Sequence, residues 1–431
     1  MKRQLFQAFR DRGPGRGFRR FSGVEASIRD RHARHDRVSF MSDIVILSGA
    51  RTAIGSFGGA LSAFAPHQLG VVVARAAIER ANVAPAQIGT TVFGHVINTE
   101  PKDMYLSRLA SFGAGVPEGT PAMNVNRLCG SGVQAIVSAA QSLALGEADF
   151  ALAGGAECMS RAPFAVQTAR FGQRMGDTAM VDMLVGVLTC PFDTGHMGIT
   201  AENVAAKYGV SRAEQDAFAL ESQRRAARAL AEGRFREQIV PVEVGTRRGP
   251  LQFAIDEYPK ETSIEALTAL KPAFRKDGSV TAGNASGIND GAAAVVLARA
   301  DAADRAGLKP LARVLGYAVA GVPPEVMGIG PVPAVEQLMR RTGLSAGDFD
   351  VIESNEAFAA QAIAVTRGLG LDPEGVNPNG GAIALGHPVG ATGTILVIKT
   401  MNELARAGGR RGLITMCIGG GQGIALAIEQ L

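Results

Sequence analysis

The sequence predicts an α/β fold made of two similar halves, and three observations carry that expectation. Short apolar runs alternate with stretches whose apolar residues recur at helical spacing, the pattern of strands joined by helices. Glycine takes 54 of 431 positions, well above the roughly 7% of an average chain, and it clusters where the strand-like runs stop. The first part of the chain and the part past Pro310 also repeat one order: glycine-rich turn, apolar helix, buried strand, glycine stop. That repetition reads as an old duplication of a βαβ-rich unit, and the length suits two or three domains or one duplicated fold.

Taken in order, "DIVILSG" is a strand and "HQLGVVVARAAIERAN" a helix with Leu69, Val72, Val73 and Ala76 on one face. "TTVFGHVI" is the next strand, "AMNV" a short one, and "SGVQAIVSAAQSLALGEA" a helix stacking Val133, Ile136, Val137 and Ala140. "DFALAGG" is a strand ended by glycines. From about Ser160 to Gly283 charges rise, and Met and Phe scatter through loops. The clearest helix there is "SRAEQDAFALESQRRAARALAEGRF", opened by a Ser211–Glu214 capping box and closed by Gly233. This stretch reads as an insertion over the core. Beyond Pro310, "DVIES" is a strand, "EAFAAQAIAVTRGLG" and "GATGTILVIKTMNELARAGG" are helices, and "GLITMCI" is a strand running into "GGG".

Charge excludes one function class for the body of the chain. The formal balance is +4 overall. Residues 1–40 hold eleven Lys/Arg against four Asp/Glu, a contribution of +7, so the remainder is −3. A nucleic-acid binder would have to work through that Arg-rich extension. It reads as an unstructured tail ahead of a natural strand-first start at Met41; a mitochondrial presequence is the alternative, with Asp11, Glu25, Asp30 and Asp36 against it. The "HARH" spacing at His32–His35 falls in this tail, and no metal site is expected. No apolar run approaches the ~20 residues needed to span a bilayer. Four cysteines without a C-x-x-C pair fit a reducing compartment.

Chemistry is expected at four places. Cys129 in "NRLCGSG" lies between a short strand and a helix start, where unpaired N–H groups and the helix dipole favour a thiolate; the alternative is a cysteine packed into a tight turn. His387 in "GGAIALGHPVGATG", flanked by glycines and held extended by Pro388, suits a neutral base, or else a loop histidine bonded to backbone. Cys417 ends an apolar strand before "GGGQG", whose exposed N–H groups suit an oxyanion; the strand-like "IALAIEQL" after it argues against a phosphate loop. Asn355 in "ESNEAFAAQ" fits a helix N-cap or an amide holding a water. Cys158 reads as packed and inert, and Cys190 carries no assignment.

Together these stretches, with "GGAECMSRAP", "HMGITAEN" and "VTAGNASGINDGAA", resemble the thiolases, and among them the acetyl-CoA acetyltransferases and related β-ketothiolases. The resemblance runs from about Asp43 to the C-terminus, some 390 residues. It implies a duplicated α-β-α-β-α layered fold with an inserted loop domain. The corresponding division is 1–40 as a disordered basic extension, 41–159 with 287–309 as the first half, 160–286 as the insertion that binds CoA, and 310–431 as the second half. It further implies that Cys129 takes an acyl group from an acyl-CoA while His387 removes its proton, and that Cys417 then deprotonates a second acetyl-CoA. The enolate oxygen falls to His387 and a water on Asn355, and the acyl carbonyl to the N–H groups of Cys129 and Gly419. By family position Ser286 meets the pantetheine arm, Met197 and Phe358 line the acyl pocket with His196 and Phe274 close by, and Lys260 meets the nucleotide phosphates; ordinary packing is the alternative for the hydrophobic ones. CoA and acetyl-CoA are substrates, with no resident cofactor. The expected assembly is a homotetramer, in the cytoplasm, without membrane or nucleic-acid partners. "GHVINTEPKDMYLSR" departs from the acetoacetyl-CoA-specific pattern toward thiolases that accept slightly longer chains, and Cys158 stands where many relatives have Ser. A decarboxylating ketoacyl synthase would carry two catalytic histidines, or His and Asn, and no second cysteine; a lipid carrier on this fold would not need Cys129, His387 and Cys417 together.

Overall fold

Runs of small and β-branched residues without polar alternation suit strands covered on both faces, and two such runs form the centre of the fold. Phe150–Cys158 and Asn289–Arg299 pair antiparallel from Asp290↔Cys158 to Ala298↔Phe150, and every residue of the two except Arg299 is buried. The computed structural model describes residues 43–247 and 249–431. The basic extension, with its presequence reading and its histidine pair, lies outside the described residues.

Around that pair the large sheet takes β1 (Ile44–Arg51), β2 (Ile88–Gly94), β3 (Ala122–Val125), β4 (Phe150–Cys158) and β5 (Asn289–Arg299) from the first half. The second half supplies β6 (Ala312–Gly321), β7 (Val351–Ser354), β8 (Arg411–Ile418) and β9 (Gln422–Gln430). The spatial order is β3-β2-β4-β5-β1 followed by β6-β9-β8-β7. In the first half β2 is parallel to β3 and β4, while β5 is antiparallel to β4 and β1. In the second half β7 is parallel to β8, while β9 is antiparallel to β8 and β6. Val376 makes a lone parallel bridge to Ile352 at the place that β3 holds in the first half. The halves therefore share strand order and strand direction, which is the duplication read from the sequence. They join where β1 pairs with β6 at Val45↔Arg313 and Ile46↔Ala312.

The main helices are α1 (Pro66–Ala81), α2 (Leu106–Gly113), α3 (Ser131–Ala144), α4 (Met197–Tyr208), α5 (Arg212–Ala231), α6 (Pro331–Thr342), α7 (Ala359–Gly368) and α8 (Val389–Ala407). α1 covers β1, β4 and β5 from outside, and α6 covers β6 and β9. α8 packs on α3 and touches strands of both halves, so it is buried nearly all round, as a central-layer helix must be. The resulting order is α-β-α-β-α. Two glycines allow the α3–α8 crossing: a Cβ at Gly132 would sit 2.6 Å from the Thr394 backbone nitrogen, and one at Gly393 would sit 2.4 Å from that of Val133.

Residues 160–286 add no strand to the large sheet among the described residues. They form three two-stranded ribbons, Phe164–Ala165 with Val181–Asp182, Thr189–Cys190 with Gly195–His196, and Val242–Thr246 with Gly249–Phe253, together with α4 and α5. The Ser211–Glu214 capping box forms as expected at the head of α5.

Candidate active site

The turn "NRLCG" binds itself tightly. The Asn126 side chain accepts from Leu128 N–H at 2.9 Å, and the Ser131 hydroxyl accepts from Arg127 N–H and donates to the Leu128 carbonyl at 2.9 and 2.6 Å. Leu128 is held at φ 46, a conformation that costs a non-glycine residue about 1–3 kcal/mol and concentrates at functional sites. This delivers Cys129 one residue ahead of the α3 N-cap, Gly130. The nearby backbone N–H groups of Gly419 and of Cys129 itself favour the charged form of the Cys129 thiol. Burial nonetheless outweighs them and, helped by the Glu157 carboxylate, raises the thiol pKa. The thiolate expected from the helix dipole is thus corrected: the resting group is a neutral thiol, because desolvation exceeds the pull of the two N–H groups.

His387 is buried, and burial lowers its pKa from 6.5 to about 4. Its Nδ1 lies 2.7 Å from the Thr392 hydroxyl, whose own proton goes to the Pro388 carbonyl at 2.9 Å. Nδ1 therefore carries the hydrogen and Nε2 the lone pair. Asn355 Nδ2 donates toward that Nε2 at 3.4 Å. Asn355 does not cap a helix, since the N-cap of α7 is Phe358. Its backbone bonds to Thr415, and its Oδ1 is buried without a protein partner.

Cys417 is fully buried in β8. The chain then turns through Gly419, Gly420 and Gly421, the last two at φ 82 and 91, to pair Ile418 with Gln422 in β9. A strand follows the glycines, as expected, and the turn aims the Gly419 N–H at Cys129. Burial, and then the charge of Cys129, push the Cys417 thiol strongly up. Its proton is therefore held firmly at neutral pH.

One cavity of about 570 Å³ gathers Cys129, His387, Cys417, Gly419, Ser286, Met197, His196, Phe274 and Phe358 on its wall. The lining is mostly apolar. One group of side chains, including Met159, Leu188 and Val389, surrounds Cys129, and another, including Met197, Met327 and Phe358, surrounds Cys417. His196 caps α4 by accepting from Gly198 N–H and stacks on Phe274 at 4.9 Å; Phe274 meets Phe358 edge-on at 6.1 Å. Gly198 is required there, since a Cβ would lie 2.3 Å from the Phe274 ring. Two predicted residues are not on that wall: Asn355, which reaches the site only through His387, and Lys260. Lys260 is exposed, with its ammonium 5.3 Å from the ring centre of Tyr258, and Tyr258 rather than Lys260 faces the cavity. Sequence reasoning missed Tyr258, Phe57 and Thr392. Thr392 alone had a signal, as a hydroxyl in the first turn of the helix after His387.

Comparison with known proteins adds an independent line. The thiolase N-terminal domain matches residues 44–301 and the thiolase C-terminal domain residues 308–430. The chain belongs to the thiolase family. Beta-ketothiolase BktB of Cupriavidus necator is 56% identical to this thiolase over 391 residues, spanning 90% of this chain and 99% of BktB. An acetyl-CoA acetyltransferase of Chromobacterium violaceum is 50% identical over 391 residues, spanning 90% of this thiolase and all of that protein. The crystal structure of human mitochondrial 3-ketoacyl-CoA thiolase in complex with CoA superimposes with a TM-score of 0.88 at 42% identity, covering 91% of this thiolase and 99% of that chain. No group of three or more His, Cys, Asp or Glu suited to a metal occurs among the described residues, and no described helix is long and apolar enough to cross a membrane.

Proposed function

We propose that this thiolase condenses acetyl-CoA with an acyl-CoA, and cleaves the 3-ketoacyl-CoA with CoA in reverse, through an acyl group carried on Cys129. One observation carries the reading: Cys129, Cys417, His387 and the glycine turn at Gly419 all lie on the wall of one apolar cavity. Cys129 attacks the thioester carbonyl while His387 Nε2 takes its proton. The departing CoA sulfur takes a proton from Cys417, which becomes a thiolate. Being buried, that thiolate is a strong base, as a weak carbon acid requires, and it removes a proton from the methyl carbon of the second acetyl-CoA. His387, now protonated at Nε2, donates to the enolate oxygen alongside a water held by Asn355 Oδ1. The enolate attacks the acyl-cysteine, whose carbonyl oxygen rests on the Cys129 and Gly419 N–H groups, worth about 3–4 kcal/mol per donor. Cys129 leaves and recovers its proton from His387, so the enzyme ends as it began.

The insertion 160–286, bounded by the two halves 41–159 with 287–309 and 310–431, is read as the CoA-binding loop domain. Ser286 meets the pantetheine arm, and Lys260 lies outside the cavity where phosphates would emerge. The apolar wall by Cys129 suits acetyl and slightly longer acyl groups. The edge strand β3, with Met123 at 50%, Phe112 at 59% and Tyr105 at 67% exposure, supports a dimer contact. The exposed Phe171 and Met175 support a second contact, giving a homotetramer. The assignment is cytoplasmic, with CoA and acetyl-CoA as substrates and no resident cofactor.

The test is CoA-dependent cleavage of acetoacetyl-, 3-ketovaleryl- and 3-ketohexanoyl-CoA, with mass spectrometry of the digested enzyme. Cleavage of the first two with an acyl adduct on the Cys129 peptide is expected. No cleavage, or an adduct elsewhere, ends the reading.

A further inference from the structure

His387 is fixed at three points, and the third belongs to a residue outside the chemistry just described. Its ring is held at Nδ1 by Thr392 and approached at Nε2 by Asn355. Its backbone N–H donates at 2.9 Å to Oδ1 of Asn289, the first residue of β5. The other end of the same amide donates at 3.0 Å to the carbonyl of Gly55. These partners fix the amide's orientation, because an N–H needs an acceptor and a carbonyl needs a donor. Asn289 is fully buried and lines no part of the cavity. The chain passes directly over it: Gly386 sits at φ 104, and a Cβ there would lie 2.5 Å from the amide carbon of Asn289.

The Gly55 end connects to the cavity mouth. Asn289 and Asp290 pair with Ser56 and Gly55, and Ser56 and Phe57 line the cavity. From the far side the Glu257 carboxylate accepts from Ser56 N–H at 2.8 Å, and the neighbouring Tyr258 also lines the mouth. A single buried amide, set at the first residue of the buried strand β5, thus ties the main chain of the base to the Ser56–Phe57 part of the cavity wall.

We propose that Asn289 is a positioning residue for the thiolase reaction, setting the height of the His387 ring over Cys129 and holding it in register with the Gly55–Phe57 segment. Its side chain touches neither substrate nor reacting atoms; it acts through the His387 main chain. The inference rests on the reading of His387 as the base. Without Asn289 the His387 N–H would be buried with no acceptor, the loop would shift to find one, and Nε2 would move with it. A displacement of about 1 Å in a catalytic group costs on the order of 10²-fold in rate.

The experiment compares wild type, Asn289→Ala, Asn289→Asp, Thr392→Val and the Asn289→Ala/Thr392→Val double variant in acetoacetyl-CoA thiolysis, each checked for native near-UV circular dichroism. Asn289→Ala is expected to lower kcat roughly 10²-fold with KM within about threefold of wild type. Asn289→Asp keeps the acceptor for His387 but loses the donor to Gly55, and is expected to recover about tenfold of that loss. Because both residues act through one ring, the double variant should lose far less than the product of the single losses. Three results overturn the inference: kcat of folded Asn289→Ala within threefold of wild type, a loss confined to KM, or losses that multiply in the double variant. If Asn289→Ala does not fold, the near-isosteric Asn289→Asp decides, and an unchanged kcat there overturns it as well. An inactive wild type would remove the proposed function and this inference together, whereas an active wild type indifferent to Asn289 removes this inference alone.

Discussion

At the scale of single residues, the site rests as a set of neutral groups. Burial raises the Cys129 thiol above 9.0 and lowers His387 to about 4, so no thiolate–imidazolium pair forms before substrate arrives. Carboxymethylation of Cys129 should accordingly keep accelerating past pH 9; a plateau near neutrality would contradict the raised thiol pKa. The His387 shift also bears on stability. Its folded value lies below the unfolded 6.5, so between about pH 6.5 and 4 the unfolded chain binds a proton that the folded chain refuses. Stability is therefore lost as pH falls through that window, by roughly 3 kcal/mol at the lower end. Thermal melts from pH 7.5 to 4.5 should show a smaller acid loss for His387→Ala than for wild type, and equal losses would refute the shift. The two thiols divide by substitution. Cys129→Ser should abolish the acyl adduct. Cys417→Ser should still be acylated yet form no carbon–carbon bond, and normal condensation by that variant would strip Cys417 of its role. The neutral His387 was legible in its glycine-flanked setting, whereas the raised Cys129 thiol was not: the motif announces N–H groups, but the desolvation that outweighs them comes from side chains on other elements, Met159, Leu188 and Val389 among them.

At the scale of elements, the sequence was most informative where glycine and apolar patterning agree. The β8 strand, its glycine turn and the strand after it were all readable, because a buried run, three glycines and a second apolar run admit few other structures. The α3 reading ran past Ala144 into a turn at Gly146, whose φ is 76, and the α7 reading began early, at Glu356 rather than Ala359. In both cases helix-favouring residues continue beyond the point where tertiary packing ends the element. Glycine also tests the layering. An exposed helical Gly→Ala change gains roughly 1 kcal/mol. At Gly132 the added methyl would meet the Thr394 backbone 2.6 Å away, and overpacking of a buried contact costs about 1–3 kcal/mol, so the clash decides the sign. Gly132→Ala should lower the thermal midpoint. Gly186→Ala, where nothing lies within 4 Å of the new atom, should leave it unchanged or raise it. Equal behaviour of the two would mean that α3 and α8 do not cross as closely as described.

At the scale of the whole molecule, what the sequence could not reveal was how the insertion is fastened to the duplicated core. The fastening depends on pairs some 200 residues apart, and no local pattern marks them. Arg51, at the end of β1, is buried and forms a bidentate pair with Asp256 at 2.7 and 2.9 Å, while its guanidinium lies 5.3 Å from the ring centre of Phe235. Asp256 also accepts from Ile54 N–H at 2.8 Å. One position further on, Glu257 holds the loop at Ser56, and one beyond that Tyr258 lines the cavity. Lys260, placed at the phosphates on family position alone, belongs to this same stretch, whose path is set by the Arg51–Asp256 pair. Removing one partner of a fully buried pair strands the other charge, at a cost of about 3–5 kcal/mol. Asp256→Ala should therefore lose that much in urea unfolding and, in the fraction that stays folded, raise KM for acyl-CoA more than it lowers kcat, because the mouth loosens while Cys129 and His387 keep their own anchors. Asp256→Asn, which retains the acceptor for Ile54, should recover part of both. If Asp256→Ala instead lowered kcat at unchanged KM, the pair would be supporting the base of the cavity rather than its mouth, and the insertion would be fastened elsewhere.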